Sequence, residues 1–302
     1  MKTLMKKFGR RFGNATVGWM FEDLAKTLRT TTSAQTQLML FHMYREMAAQ
    51  KDRELPPLTE VGFRCHSQFE EDGILLYIFA LIGTTNRVCA EICAGNGIEC
   101  NTANLILNHG WWGHLFDGDA AHVAAGTAFY REARATWLYP PRFTQAWVTA
   151  ENVNSLLEKS GATGEIDLLS LDIDGMDYWV FKAIDVIQPR VVVCETHNVI
   201  GPEDALTVPY DPAFKIVTPD HHSASLAAMC ALAKNKGYRL VGTHRYGFNA
   251  FFVREGVGEA LLPTRTPFEC LQDPYSREAR ATRWPRVKDL PWLRVGEDSS
   301  ED

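Results

Sequence analysis

Three aspartates, Asp172, Asp174 and Asp177, fall within six residues of the run LLSLDIDGMDYW. Carboxylates this crowded repel one another unless a cation, a donor-rich ligand or a proton compensates. An oxygen-only cluster of this kind suits Mg2+ or another hard divalent ion. Turn chemistry is the plainer reading, with Asp174-Gly175 making a tight turn and Asp177 opening a helix. The run VVVCETHN adds Glu195 and His197, and PDHHSASL adds His221 and His222. If the first two runs are neighbouring parallel strands, Glu195 lies near Asp172 or Asp174. Asp172 and Glu195 are then the candidate metal ligands, with Asp174 in reserve or acting catalytically. A neutral imidazole beside such acids takes a proton from a hydroxyl, so His197 and His222 are the candidate general bases. The His-His pair reads equally well as a surface feature at a helix start.

A second constellation is VCAEICAGNGIEC, residues 88–100. An apolar run carries Glu91 and leads into Ala94, Gly95 and Gly97. Glycines there take backbone angles closed to other residues and leave bare backbone beside a nucleotide-like ligand. The spacing departs from G-x-G-x-x-G, since Cys100 stands at the third glycine position. Further on, WWGHLFDGDA ends a candidate strand at Asp117 with Asp119 just beyond. A carboxylate at that point can accept both hydroxyls of a ribose. Asp119 reads better as a helix cap.

Positioning these groups requires strands whose carboxyl ends meet. From residue 87 the chain alternates apolar strand-like runs (88–93, 113–117, 146–150, 166–172, 191–195) with helical stretches (101–108, 120–135, 152–159, 178–187). Runs apolar throughout, rather than alternating, fit a parallel sheet covered on both faces. A helix over 225–236 is followed by strands over 238–244 and 248–254, separated by too few residues for a crossover. That last pair must form an antiparallel hairpin. Residues 1–60 show helical spacing at Phe21, Leu24 and Leu28 and again at Leu38, Leu40, Met43 and Met47. A double proline marks a boundary near 53–57, and 67–82 reads as a helix opened by Ser67 and Glu70. The expected organisation is a helical extension (1–60), a main domain (61–256) and a C-terminal extension with an acidic tail (257–302).

With 302 residues, 46% of them hydrophobic, the chain can bury a full core. A net charge of −6 argues against nucleic-acid binding. The seven cysteines lack close pairing, which suits reduced thiols in a cytoplasm. No apolar run is long enough for a membrane span. The basic start (Lys2, Lys6, Lys7, Arg10, Arg11) precedes an amphipathic stretch that reads as a lead-in helix, packing on the core or on another subunit. A homo-oligomer is expected.

The ordered set SQFEEDGILLYIF, AEICAGNGIECNTANLIL, GWWGHLFDGD, DLLSLDIDGMDYWVFKAI, CETHNVIGPEDALTVPYDP and SLAAMCALAKNKGYRLVGTHRYGFNAFFVR resembles the FkbM-like methyltransferases. It spans about residues 65–255. Where family members typically carry a third glycine, this chain has Cys93. The resemblance implies a class I methyltransferase (Rossmann-like) α/β fold: a seven-stranded, mostly parallel sheet with a C-terminal antiparallel hairpin. It also implies S-adenosyl-L-methionine as cofactor and O-methylation, frequently of sugars or natural-product hydroxyls. The cofactor's methionine part would lie over Glu91, Ala94, Gly95 and Gly97, with Gln68, Asp72 and Asp172 assisting and Asp117 on the ribose. Two other readings are a nicotinamide-dependent oxidoreductase and a non-catalytic, cofactor-binding oligomeric subunit.

Overall fold

The computed structural model describes residues 33–50 and 54–296. The basic start, the Phe21–Leu28 periodicity and the end of the acidic tail lie outside them. The central sheet has seven strands: β1 (Val88–Ile92), β2 (Trp112–Asp117), β3 (Arg142–Gln145), β4 (Gly164–Leu171), β5 (Ile187–Glu195), β7 (Tyr238–Thr243) and β8 (Asn249–Arg254). Their order is β3-β2-β1-β4-β5-β8-β7. The first five run parallel, while β8 is antiparallel to both β5 and β7. The expected fold class is what the chain adopts.

Alternation along the central strands explains the two layers. Cys89, Leu168, Val191, Val193 and Phe251 point to one face, against α2 (Glu71–Ile82) and α3 (Ala103–His109). Ala90, Leu169, Val192 and Phe252 point to the other, against α5 (Val153–Ser160), α6 (Asp177–Ala183) and α7 (Leu226–Asn235). Helix α4 (Ala120–Glu132) follows β2 and sends Tyr130 into the first layer.

Helix α2 is apolar nearly all round, so it must be covered on its outer side as well. The N-terminal helix α1 (Ala34–Ala49) does this, stacking Tyr44 edge-on to Tyr77 with ring centroids 4.8 Å apart. Gln37 of α1 is fully buried and exchanges amide hydrogen bonds with Asn104. At the other end of the chain, β9 (Leu293–Arg294) pairs with β6 (Leu206–Thr207) in a small separate ladder. Three short helices, α8 (Pro267–Cys270), α9 (Pro274–Thr282) and α10 (Trp284–Val287), lead into it. The C-terminal segment thus straps the loop that follows β5 onto the domain.

Several element boundaries differ from expectation: β5 begins at Ile187 rather than 191, and the helix expected over 178–187 ends at Ala183. The third strand is Arg142–Gln145, not 146–150. After Gln145 the chain outruns β2, whose last residue, Asp117, takes the Ala146 N–H on its carbonyl. The apolar run beyond it then turns aside as a loop. Helix α2 starts at Glu71 rather than Ser67. The reason is the buried Asp72 carboxylate, which accepts from the Cys65, His66 and Ser67 N–H groups and from the Ser67 hydroxyl. That web holds 65–67 as a turn.

Candidate active site

The carboxyl ends of the parallel strands open into a cleft of about 1100 Å³. Sites for one drug-sized ligand span roughly 300 to 1,000 Å³, so this one has room for a cofactor and an acceptor together. Of the residues singled out in the sequence, Gln68, Gly95, Asp117, Asp172, Asp174 and Glu195 line it.

At one end lies the turn after β1. Gly95 has φ +55, and a Cβ built there meets nothing within 4 Å, so its backbone borders open space. Cys93 also has positive φ (+62), a geometry glycine takes without strain. Asp117 ends β2 facing this turn. One of its oxygens accepts from Gly95 N–H at 2.8 Å and the other from Asp119 N–H at 2.8 Å. The carboxylate is therefore fixed in orientation while each oxygen keeps a lone pair for the cleft. Asp119 itself caps α4, accepting from Ala121 and His122 N–H groups, which hold its carboxyl below the usual range. Beside Gly118 stands the indole of Trp147, which is 58% exposed and pinned through Nε1 to the Pro212 carbonyl.

At the other end, Asp172, Asp174 and Glu195 each offer an oxygen within 4.8 Å of the others. Burial, then the Asp177 and Asp174 charges, hold Asp172 well above the ordinary carboxylate range. Burial, then Asp172 and Asp177, do the same to Glu195. Asp177 is different. Its two oxygens brace the turn by accepting from Ile173 and Gly175 N–H, and burial lifts it to about 6. It opens α6, as the plainer sequence reading had it, and also braces the turn that reading gave to Asp174-Gly175. The wall here is also aromatic, with Phe69 and Phe248 rings 5.5 Å apart.

Of the remaining sequence candidates, His222 is half-buried and the others are buried behind the walls. Glu91 is buried, and its oxygens accept from Asn101 N–H, Thr102 N–H, the Thr102 hydroxyl and the Ser170 hydroxyl. It clamps the chain entering α3 and faces away from the cleft. Ala94 is in the core, its N–H tied to Phe116 O, and Gly97 packs under Phe143, Leu115 and Tyr130. Asp72 serves the turn before α2. His197 is 4% exposed, donates Nε2–H to the Asp220 carbonyl, and is pushed down to about 4 by burial and then by His222. His222 stacks on it at 4.5 Å and bonds Ser223 Oγ through Nδ1 at 2.9 Å. The Ser223 hydroxyl donates to Glu195 at 2.7 Å, so His222 reaches the acid cluster through one intermediary.

Sequence reasoning passed over Trp147, Phe69, Phe248 and Asn249, all on the cleft wall. Trp147 fell inside the misplaced third strand. Asn249 opens β8 at the carboxyl end of the sheet, where a polar residue in an otherwise apolar strand was the available signal.

The methyltransferase FkbM domain model matches residues 82–240, over half of the chain. No match is found among the curated proteins. Among solved structures, the chain is similar to magnesium protoporphyrin IX methyltransferase (ChlM) from Synechocystis PCC 6803 with bound SAM. That likeness has 12% identity and a TM-score of 0.38, covering 74% of this chain and 85% of the other. The glycopeptide N-methyltransferase MtfA complexed with S-adenosyl-L-homocysteine gives 13% identity and a TM-score of 0.38, over 65% and 93%. Monomeric WbdD gives 17% identity and a TM-score of 0.32, over 55% and 36%. Assignment rests on the family match and on the strand order: the chain belongs to the FkbM methyltransferase family and is an S-adenosyl-L-methionine-dependent methyltransferase of the class I fold.

Proposed function

We propose that the protein methylates a hydroxyl of a polyhydroxylated acceptor, a sugar, glycan or hydroxyl-bearing natural product. The observation that carries this reading is the division of one cleft into two unlike ends. A fixed carboxylate and bare glycine backbone lie at one end, and a carboxylate cluster with aromatic rings on the same lining lies at the other. The first end suits the cofactor. Asp117 would take the two ribose hydroxyls, Trp147 would stack on the adenine, and Gly95 and Gln68 would border the methionine portion. Bound there, S-adenosyl-L-methionine supplies an electrophilic methyl group on a sulfonium.

The second end suits the acceptor. A sugar ring has C–H faces that pack on Phe69 and Phe248, and hydroxyls that meet Asp172, Asp174 and Glu195. In-line displacement asks the protein mainly for alignment and for removal of one proton. As the acceptor oxygen bonds to carbon, its proton must leave. His222 is our assigned recipient, with Ser223 and Glu195 as the line that orients it. Its Nδ1–H donates to Ser223 Oγ, because that hydroxyl spends its own proton on Glu195. Nε2 then carries the lone pair, and burial keeps the ring neutral near pH 7. His197, with Nε2 committed to a carbonyl, supports His222 by stacking. The divalent ion expected at Asp172 and Glu195 would gather acceptor hydroxyls and lower their pKa.

The test is mass spectrometry of a panel of sugars, nucleotide sugars and polyphenols incubated with protein and S-adenosyl-L-methionine. At least one acceptor gains a single methyl on oxygen, and His222→Gln slows that transfer by about 10²- to 10⁴-fold, the usual range for a general base. Methyl transfer to nitrogen or carbon alone, or an unaffected His222 variant, contradicts the reading.

A further inference from the structure

We infer that Asp172, Asp174 and Glu195, together with Asn249, form a binding site for one hard divalent cation of the Mg2+ or Mn2+ class. Three carboxylates within 4.8 Å of one another carry no ion pair with any described side chain. Lys215, on the same cleft wall, makes no ion pair among the described residues either. An acidic cluster alone is an ambiguous sign. The second, independent sign is Asn249.

Asn249 is 5% exposed, lines the same cleft, and sits directly across the β5–β8 pair from Glu195. Both residues share the sheet face that carries Val193 and Phe251. Its Nδ2 donates to the buried Glu71 carboxylate at 2.9 Å. Its Oδ1 has no hydrogen-bond partner among the described residues. Exchanging the two ends of the amide would set Oδ1 against the Glu71 oxygen, so the bond to Glu71 fixes which end is left over. A buried, unpartnered amide oxygen costs about 1–3 kcal/mol unless something accepts its lone pair. Beside three crowded carboxyl groups with no ion pair among the described residues, a cation is the partner that satisfies all four groups together.

The donor set contains only oxygen. Such sites select Mg2+, Mn2+ or Ca2+ over Zn2+, which prefers nitrogen and sulfur. The first-row member Mn2+ is the convenient probe. What the ion does, gathering acceptor hydroxyls, rests on the methyl-transfer reading above, whereas the site itself does not.

The experiment uses the full chain, stripped with a chelator and titrated with MnCl2 while free Mn2+ is followed by electron paramagnetic resonance. S-adenosyl-L-methionine binding is measured on the same samples by calorimetry. The expected result is one Mn2+ per chain, displaced by excess Mg2+. Asp172→Asn abolishes it, and Glu195→Gln and Asn249→Ala each weaken it by at least about tenfold. Glu195→Gln keeps an acceptor for Ser223, so it guards against an Asn249 variant that folds poorly. Absence of Mn2+ binding, or equal affinity in wild type, Asp172→Asn and Glu195→Gln, overturns the site. Cofactor binding without Mn2+ likewise defeats the site alone. Mn2+ binding without cofactor upholds the site and counts against the methyl-transfer reading.

Discussion

Strand β4 carries a buried aspartate near its amino end and is followed by a half-buried one just past its carboxyl end, and the two have opposite surroundings. Asp167, toward the amino end, is fully buried yet saturated with donors. Thr85, Asn86 and Arg87 N–H groups, the Thr85 hydroxyl and Arg190 all bond it. Burial pushes its pKa up, but Arg190 and those N–H groups together hold it below the ordinary value. Arg190 in turn reaches the Gly83 and Ile82 carbonyls, stitching the end of α2 to the sheet. Asp172, just past the carboxyl end, has no side-chain hydrogen bond or ion pair among the described residues, and burial, then the Asp177 and Asp174 charges, raise its pKa. The same residue type therefore braces the fold at one edge and is left unsatisfied at the other. Unsatisfied charge in a cleft is where a ligand can add most.

Asp167→Ala strands a buried guanidinium and should cost about 3–5 kcal/mol in urea unfolding, the cost of removing one partner of a buried pair. Asp172→Asn removes repulsion instead and should leave stability unchanged or raised. Equal losses in both variants would erase the distinction.

Next in size is the response to cation. Mg2+ at about a hundred times its dissociation constant should stabilise the chain by about 2.7 kcal/mol. Asp172→Asn should remove that gain, as read by denaturant midpoints with and without chelator. An unchanged midpoint in wild type would mean the acids are compensated some other way.

The pH dependence separates the two edges by sign. Asp167 has a folded pKa below its unfolded value, so its stabilisation is present above the unfolded value near 3.9 and is lost as pH falls through the folded one. Asp177, lifted by burial to about 6, works the other way. Between about pH 4 and 6 the folded form binds its proton and the unfolded form does not, so stability falls as pH rises through that window. Chelated protein should therefore be more stable near pH 5 than near pH 7, and destabilised again below pH 4. A flat profile between 5 and 7 would argue against a strained acid cluster.

The smallest effect sharpens the glycine turn. Gly95→Ala places a Cβ in open space but at φ +55, so it should cost about 1–2 kcal/mol of stability from conformation alone. Any larger loss of cofactor affinity in that variant reports contact at the turn.

Much of this architecture was legible in the sequence because apolar strands and short connections leave few topologies open. The five parallel strands, the closing hairpin and the meeting of Asp172, Asp174 and Glu195 all follow from that pattern. What was not legible depends on where polar side chains are answered. Glu91 looks like a site acid in sequence, yet the Asn101 and Thr102 N–H groups consume it. His197 looks like a base until its Nε2 finds the Asp220 carbonyl. Trp147 was hidden in an apolar run that reads as strand but lies past the end of its partner. Asn249 matters through one unpaired oxygen, which no spacing rule reveals. The β6–β9 strap joins residues too far apart, in strands too short, for periodicity to detect.

On the reading proposed above, the cleft at the strands' carboxyl ends holds S-adenosyl-L-methionine through the Asp117 carboxylate. Calorimetric titration of wild type and Asp117→Ala with this cofactor tests it most directly. Saturable binding in wild type, weakened by about tenfold or more in a variant whose unfolding midpoint is nearly unchanged, is the predicted result. Equal affinity in the two proteins, or no heat of binding in either, would contradict it.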